Sequence, residues 1–339
     1  MESLESPAAL NTTANREPAA FASLPPELIG DILSHFLSVD VVDLDSLKAA
    51  SLVSRTWRRP AQHLIWAAGA ELDSDEDIWQ WLKTRHRRRG GPKELAVHKF
   101  GGGKSLKRLF AESAGLRWLM LAAPGCELDP AVLAAPQLSH LGTLIVQCRL
   151  LPFDPSTVSF PFSLHTLVLA DATFRSPHMA PFLTALASSS LSTLRRISLP
   201  SFSARAHPAV AKALLPFAAQ LLHFGLCLGA KDDVEPYFPF LAAATSLHSL
   251  ECTSLPPALL ANLPPSLSVL ATSEDAPYID VEALTSALDR LKNLKRLYFA
   301  MPRRTFVKEV VAGPELLQKM EERGVDWRFA GDEGDEVDD

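Results

Sequence analysis

From residue 116 onward, leucines recur in one arrangement, Leu-x-x-Leu-x-Leu, at nearly constant intervals. The pattern reads LRWLML at 116, LGTLIV at 141, LHTLVL at 164, LRRISL at 194, LLHFGL at 221, LHSLEC at 247, LSVLAT at 267 and LKRLYF at 294. Successive starts lie 25, 23, 30, 27, 26, 20 and 27 residues apart. Alternation within each hexad predicts a short β-strand whose leucines face a core. Between hexads, segments such as SLKRLFAES (105–113) and DVEALTSALDRL (280–291) carry helical periodicity. A strand-helix unit of this size cannot bury its apolar face alone, and stacking on neighbours supplies the missing core. IWAAGAEL near 65 and KELAVHKF near 93 read as degenerate earlier turns, and VDWRFA near 325 as a closing strand. Residues 67–330 are therefore predicted to form an α/β solenoid of roughly ten repeats, with parallel strands on its concave face and helices outside. A doubly wound parallel sheet also alternates strand and helix, but nothing in that architecture demands a fixed period.

Ahead of the repeats the periodicity changes. LPPELIGDILSHF starts at 24, an acidic DVVDLD follows at 40–45, and LKAASLVSRTWRRPAQHLIW runs from 47 to 66. At 100° per residue, Leu28, Ile29, Ile32, Leu33, Phe36 and Leu37 cover about half of a helix circumference, more than one core-facing stripe requires. Small units bury only ~60% of their unfolded surface or less, so the surplus apolar area calls for a covering partner. Packing of this helical unit on the rest of the chain is the alternative. Pro25 and Pro26 suit a helix start, Glu27 complements the dipole of the first turn, and Ser54 suits the cap of a third helix.

This N-terminal stretch resembles the F-box. The resemblance covers residues 24–66 and is carried by Leu24-Pro25, Glu27-Leu28, Ile32-Leu33, Phe36, Leu47, Leu52-Val53, Trp57, Leu64 and Trp66. Two departures touch only the first turns: Ser54 stands where the family often has Cys, and the acidic break is slightly longer than usual. The irregular repeats, in turn, resemble the leucine-rich repeats that follow F-boxes. Together the resemblances imply a substrate-recognition subunit of an SCF-type (Skp-cullin-F-box) E3 ubiquitin ligase, catalysing nothing itself. Leu24, Pro25, Glu27, Leu28, Ile32, Leu33, Leu47, Val53 and Trp57 would dock a Skp-type adaptor, which bridges to a cullin. The repeats would hold an unidentified protein target near the charged E2 enzyme. A non-degradative interaction scaffold is the second reading. A repeat-based GTPase activator is a third, but it needs an exposed Arg finger beside a positioning Asn, and Pro-Arg-Arg-Thr at 302–305 lacks that context.

Strand alternation also selects a candidate target face. The residues flanking the inward leucines are Trp118, Met120, Ile145, Arg196, His223, Glu251, Arg296 and Tyr298, and large aromatics and Arg among them suit binding hot spots. Loops 200–208 and 229–236 are the alternative binding elements. Both charge signs occur in the set, so it implies no class of target.

Composition sets the surroundings. Apolar residues make up 47% and charged residues 21%, ordinary for a globular chain. The expected organisation is a disordered 1–20, a helical 21–66, the solenoid 67–330 and a disordered acidic tail 331–339. The first twenty residues contain no apolar run of the kind a signal or transit peptide requires. The most apolar stretch, 209–230, is interrupted by Lys212, Pro216, Gln220 and His223 and reads as a buried helix-strand pair, so no membrane association is expected. Cys126, Cys148, Cys227 and Cys252 are scattered, as expected of reduced thiols in a cytoplasmic or nuclear protein.

Net charge is −6, unevenly placed. The last eight residues carry six acids, a solvated tail or a contact for a basic partner. Lys83, Arg85, Arg87, Arg88, Arg89 and Lys93 follow an acidic DSDED at 73–77. That run suits either an import signal or phosphate-facing patch, or the exposed end of a helix whose Trp79 and Trp81 pack inward. An acidic chain whose basic cluster lacks interleaved aromatics is a poor nucleic-acid binder.

No chemistry-bearing constellation emerges. GGGKS at 101–105 imitates a phosphate loop, but Gly-x-x-x-x-Gly-Lys-Ser requires glycine where His98 stands. Gly-x-Ser-x-Gly, His-Glu-x-x-His and calcium-loop patterns are missing, and the ten histidines are dispersed, with His98, His165, His223 and His248 in predicted strands. Neither cofactor nor metal is expected.

Overall fold

A computed structural model describes residues 24–34, 44–54, 56–58, 60–61, 70–84, 92–170, 178–201, 203–229, 232–273, 278–310 and 313–330. The chain divides into two compact units, residues 1–68 and 69–339. Phe36, Leu37, the acidic break at 40–43, Leu64, Trp66, the basic run at 85–89 and both termini lie outside the described residues.

In the first unit, α1 (Pro26–Ser34) and α2 (Leu44–Val53) bury Ile29, Leu33, Leu47 and Ala50 together with Ala61. Ile29 and Leu33 are four residues apart and Leu47 and Ala50 three, so each helix turns one narrow stripe inward. Leu24 and Trp57 pack against this cluster from its margin. A further helical segment starts after Ser54, whose Oγ accepts the Trp57 N–H at 3.3 Å, the geometry of an N-cap.

The second unit is built on one eleven-stranded parallel sheet. Its strands are β1 (Ala70–Leu72), β2 (Glu94–Val97), β3 (Trp118–Leu121), β5 (Thr143–Val146), β7 (Thr166–Leu169), β8 (Arg196–Leu199), β9 (His223–Leu226), β10 (Ser249–Cys252), β11 (Val269–Thr272), β12 (Arg296–Phe299) and β13 (Asp326–Phe329). They follow one another in chain order, except that β4 (Glu127–Leu128) and β6 (Arg149–Leu150) form a small parallel pair of their own. Every Leu-x-x-Leu-x-Leu hexad supplies one strand, and the degenerate segments near 65, 93 and 325 supply β1, β2 and β13. Register is constant, with Leu95, Leu119, Leu144, Leu167 and Ile197 paired in line, all fully buried. Such order, each strand touching only its chain neighbours, is that of a solenoid-like repeat.

Helices cover the buried face. These are α3 (Asp75–Thr84), α4 (Gly103–Ala111), α5 (Met179–Ser190), α6 (His207–Leu214), α7 (Phe238–Ala243), α8 (Pro257–Ala261), α9 (Val281–Arg290), α10 (Arg303–Glu309) and α11 (Gly313–Glu322). Helix α9 carries a side-chain cap: the Asp280 carboxylate accepts the Ala283 N–H at 2.8 Å, and Leu284, Ala287 and Leu288 face the core. Gly324 ends α11 at φ +65°, a left-handed value that disfavours any side chain.

The expectation of one helix per repeat fails between β3 and β7. Residues 130–134 and 136–140 form 3₁₀ turns opened by Pro130 and Pro136, and 151–165 contains no helix. Prolines at 152, 155 and 161 lack the amide hydrogens a helix would use. Phe160 and Phe162, stacked at 5.2 Å and both buried, fill the volume instead.

Candidate functional site

The helical unit exposes apolar side chains on both α1 and α2. On α1, Leu28 is 48% and Ile32 43% exposed, while Ile29 and Leu33 one position on are fully buried. On α2, Leu52 is 77% and Val53 65% exposed. Pro25 is exposed as well, and Leu24 and Trp57 are half-buried. Of the nine residues assigned to adaptor docking, these positions make Pro25, Leu28, Ile32 and Val53 available as surface. Leu33 and Leu47 are a correction: both are fully buried and form the core of the unit, because each lies on its helix's inward stripe beside Ile29 or Ala50. The side chain of Glu27 is outside the described set. Leu52, not among the nine, is the most exposed large apolar residue among the described residues of the unit; its pairing with Val53 in the motif was the signal available for it.

On the second unit, the eight residues selected by strand alternation share the sheet face opposite the buried leucines. They fall into two rows. Trp118, Arg196, His223 and Arg296 occupy the first position of their strands, and Met120, Ile145, Glu251 and Tyr298 the third, with pairing in register from strand to strand. Trp118, Met120 and Ile145 are half-buried, whereas Arg196, Glu251, Arg296 and Tyr298 are exposed. The face is thus apolar towards β3 and β5 and charged towards β8–β13.

A third row escaped the alternation rule. The carbonyl oxygen of the residue before each of β2, β3, β5 and β7 to β11 accepts two N–H groups from the next repeat: Lys93 O takes Arg117 N (2.7 Å) and Trp118 N (3.1 Å), and His165 O takes Arg195 N and Arg196 N. The ladder runs on to Lys295 O, which takes Asp326 N at 2.8 Å. It stacks Lys93, Arg117, Gly142, His165, Arg195, Leu222, His248, Ser268 and Lys295 along the starting edge of the sheet, a row in which basic and imidazole side chains are interspersed with neutral ones. All but Lys93 are the second residues of hexads, and the alternation rule, applied from the third residue onward, passed over them. His165 and His248 accordingly lie just before their strands and His98 just after β2, not within strands as predicted.

Other candidates have structural explanations. In GGGKS, Gly102 adopts φ +150° and Ser105 donates to Asp75 Oδ1 at 2.9 Å, tying α4 to α3. Trp81 packs inward as expected, but Trp79, two residues and 200° away on the same helix, is exposed with the Arg108 guanidinium 5.2 Å over its ring. Loops 200–208 and 229–236 meet at a buried group in which His207 Nδ1 lies 2.8 Å from the Tyr237 hydroxyl and Nε2 faces Asp232 at 3.5 Å. Burial outweighs the nearby Asp232 and holds the imidazole below its ordinary pKa. Arg303 sits 4.9 Å over the Trp327 ring. Among the described residues no helix is long and apolar enough to cross a membrane.

Comparison with known proteins adds one assignment. Residues 21–68 match the family model described as F-box-like. No curated protein matches the chain. Among solved structures, a chain in the crystal structure of the Rad7 and Elc1 complex in yeast is similar at 13% identity and a TM-score of 0.36, over 81% of this chain and 67% of that one. That likeness is too distant to carry an argument about function.

Proposed function

We propose that this protein is the substrate-recognition subunit of an SCF-type ubiquitin ligase, with the F-box-like unit docking a Skp-type adaptor and the second unit, read as leucine-rich repeats, holding a protein target. The observation that carries the reading is the pairing of the F-box-like match at 21–68 with four apolar side chains, Leu28, Ile32, Leu52 and Val53, left in solvent by a unit too small to cover them. The adaptor joins the chain to a cullin and its ubiquitin-transfer machinery. Its own contribution is positional: a bound target lysine is held near the charged E2 enzyme, a gain in effective concentration and not in chemistry. Such complexes work in the cytoplasm or nucleus, which is where this reading puts the chain.

The test is capture of the purified chain on an immobilised Skp-type adaptor. Leu28→Asp with Leu52→Asp is expected to abolish capture while leaving the free energy of urea unfolding within about 1 kcal/mol of wild type, since exposed positions contribute little to folding. Leu33→Ala is expected to cost about 2–5 kcal/mol of stability in the helical unit, as core truncations do. Failure of the wild-type chain to bind any Skp-type adaptor would leave the scaffold reading in its place.

A further inference from the structure

The two rows on the uncovered face of the sheet and the row along its starting edge are charged very differently from the chain that carries them. From β7 to β12 they contain Arg195, Arg196, Lys295 and Arg296 against one carboxylate, Glu251. His165, His223 and His248 stand among the same rows. Arg195 donates to the Gln220 carbonyl at 3.2 Å, a contact that orients the guanidinium without cancelling its charge. Arg296 approaches Asp326 at 3.9 Å, but Arg328 lies closer to that carboxylate, at 3.5 Å, so the three groups together remain positive. Burial, and after it the adjoining Arg196 and His248, hold His223 below its ordinary pKa. The chain as a whole carries −6.

We infer that this strip binds an extended acidic peptide segment of the target protein, its carboxylates lying across β7–β12 and flanking apolar residues over Trp118, Met120 and Ile145. The inference rests on the receptor reading only in assigning the segment to a target. Strand spacing of ~4.8 Å puts Trp118 about 14 Å from Arg196 and about 34 Å from Arg296 along the sheet, a span that roughly ten extended residues cover. Arginine and histidine donors in a fixed row suit carboxylates, and aromatic and Met side chains at one end give the segment a direction. Charge complementarity of this kind speeds association and weakens with salt.

Fluorescence anisotropy on the full chain tests this with a labelled peptide of about ten residues, a Leu-Leu pair followed by Asp and Glu, and its Asn and Gln counterpart. The acidic probe is expected to bind at least roughly tenfold more tightly than the amide probe, and its affinity to fall with added salt. Arg196→Glu with Arg296→Glu should lose roughly tenfold or more, whereas Lys107→Glu, on exposed α4 surface, should change affinity by less than about twofold. Trp118→Ala should weaken the probe bearing the Leu-Leu pair and leave one with Ser-Ser unchanged. Equal binding of acidic and amide probes, or indifference to the double charge reversal, overturns the inference. So does a single-stranded oligonucleotide of equal charge binding as well as the peptide, which would make the strip a general polyanion surface. Adaptor capture by the double variant is measured alongside: peptide binding without adaptor capture by wild type leaves the strip standing and removes the receptor reading, and the reverse removes the strip alone.

Discussion

The buried imidazole of His207 is the residue whose chemistry most directly reaches stability. It contacts the Tyr237 hydroxyl and faces Asp232 in a site that burial dominates, so its folded-state pKa lies below the ordinary imidazole value. The folded chain therefore binds fewer protons here than the unfolded one, and stability rises with pH. The contribution is present above the unfolded imidazole value of about 6.5 and is lost as pH falls from there towards the folded value. The urea midpoint of the repeat unit should drop between pH 7.5 and 5.5, and His207→Gln should flatten that drop. His223, lowered in the same direction, keeps it from vanishing. Asp154 and Asp289, held low by Ser156 and Lys319 hydrogen bonds, titrate below this window. An unchanged slope in His207→Gln would contradict the assignment. This group was not legible in the sequence, since His207, Asp232 and Tyr237 are up to 30 residues apart. The edge row was marked by the second position of the hexads, but alternation within a strand assigns that position to no face, and the ladder shows that it runs along the edge of the sheet. Likewise the apolar content of 28–37 announced a surplus, but which leucine faced outward depended on where α2 packs.

At the scale of elements, strands are set by the leucine hexad, while helices are set mainly by their buried apolar faces and, in a few cases, by a side-chain cap. Helix α9 shows such a cap: Asp280 accepts the Ala283 N–H, and its removal leaves a first-turn amide without a partner. Asp280→Ala should lower stability by about 1 kcal/mol and Asp280→Asn by a few tenths, read as urea midpoints. Equal midpoints for the two variants would show that solvent replaces the cap without loss. Strand positions were readable because the period-2 alternation within a hexad and the period of about 25 residues between hexads agree. Helix placement was readable where capping and spacing were regular, as for α9, and not over 122–165, where proline outweighs the repeat. There the stacked Phe160 and Phe162 show that what each repeat must conserve is buried apolar volume, whether or not a helix delivers it.

For the whole molecule, the division at 68 and 69 carries the strongest consequence. A parallel sheet in chain order makes stability a sum over adjacent repeats, and the terminal repeats must cap the open faces of the stack. At one end β1 pairs with β2, and Ile78, Trp81 and Leu82 of α3 cover the first buried row. At the other, Phe299, Phe306 and Phe329 lie with ring centroids 4.6 to 5.3 Å apart and close the core beneath β13. A chain beginning at Gly69 retains both ends and should unfold cooperatively at the urea midpoint of the repeat unit in the intact protein, while losing all adaptor capture. A chain beginning at Pro92 lacks β1 and α3. It leaves the β2 edge unpaired and Leu95 and Val97 without their cover, the combination of open strand edge and bared apolar surface that drives association. It should aggregate or unfold at lower urea, as sedimentation and circular dichroism would show. If instead the Gly69 chain proved as unstable as the Pro92 chain, the repeats would depend on the helical unit for folding, and loss of adaptor capture in N-terminal variants would no longer separate docking from stability.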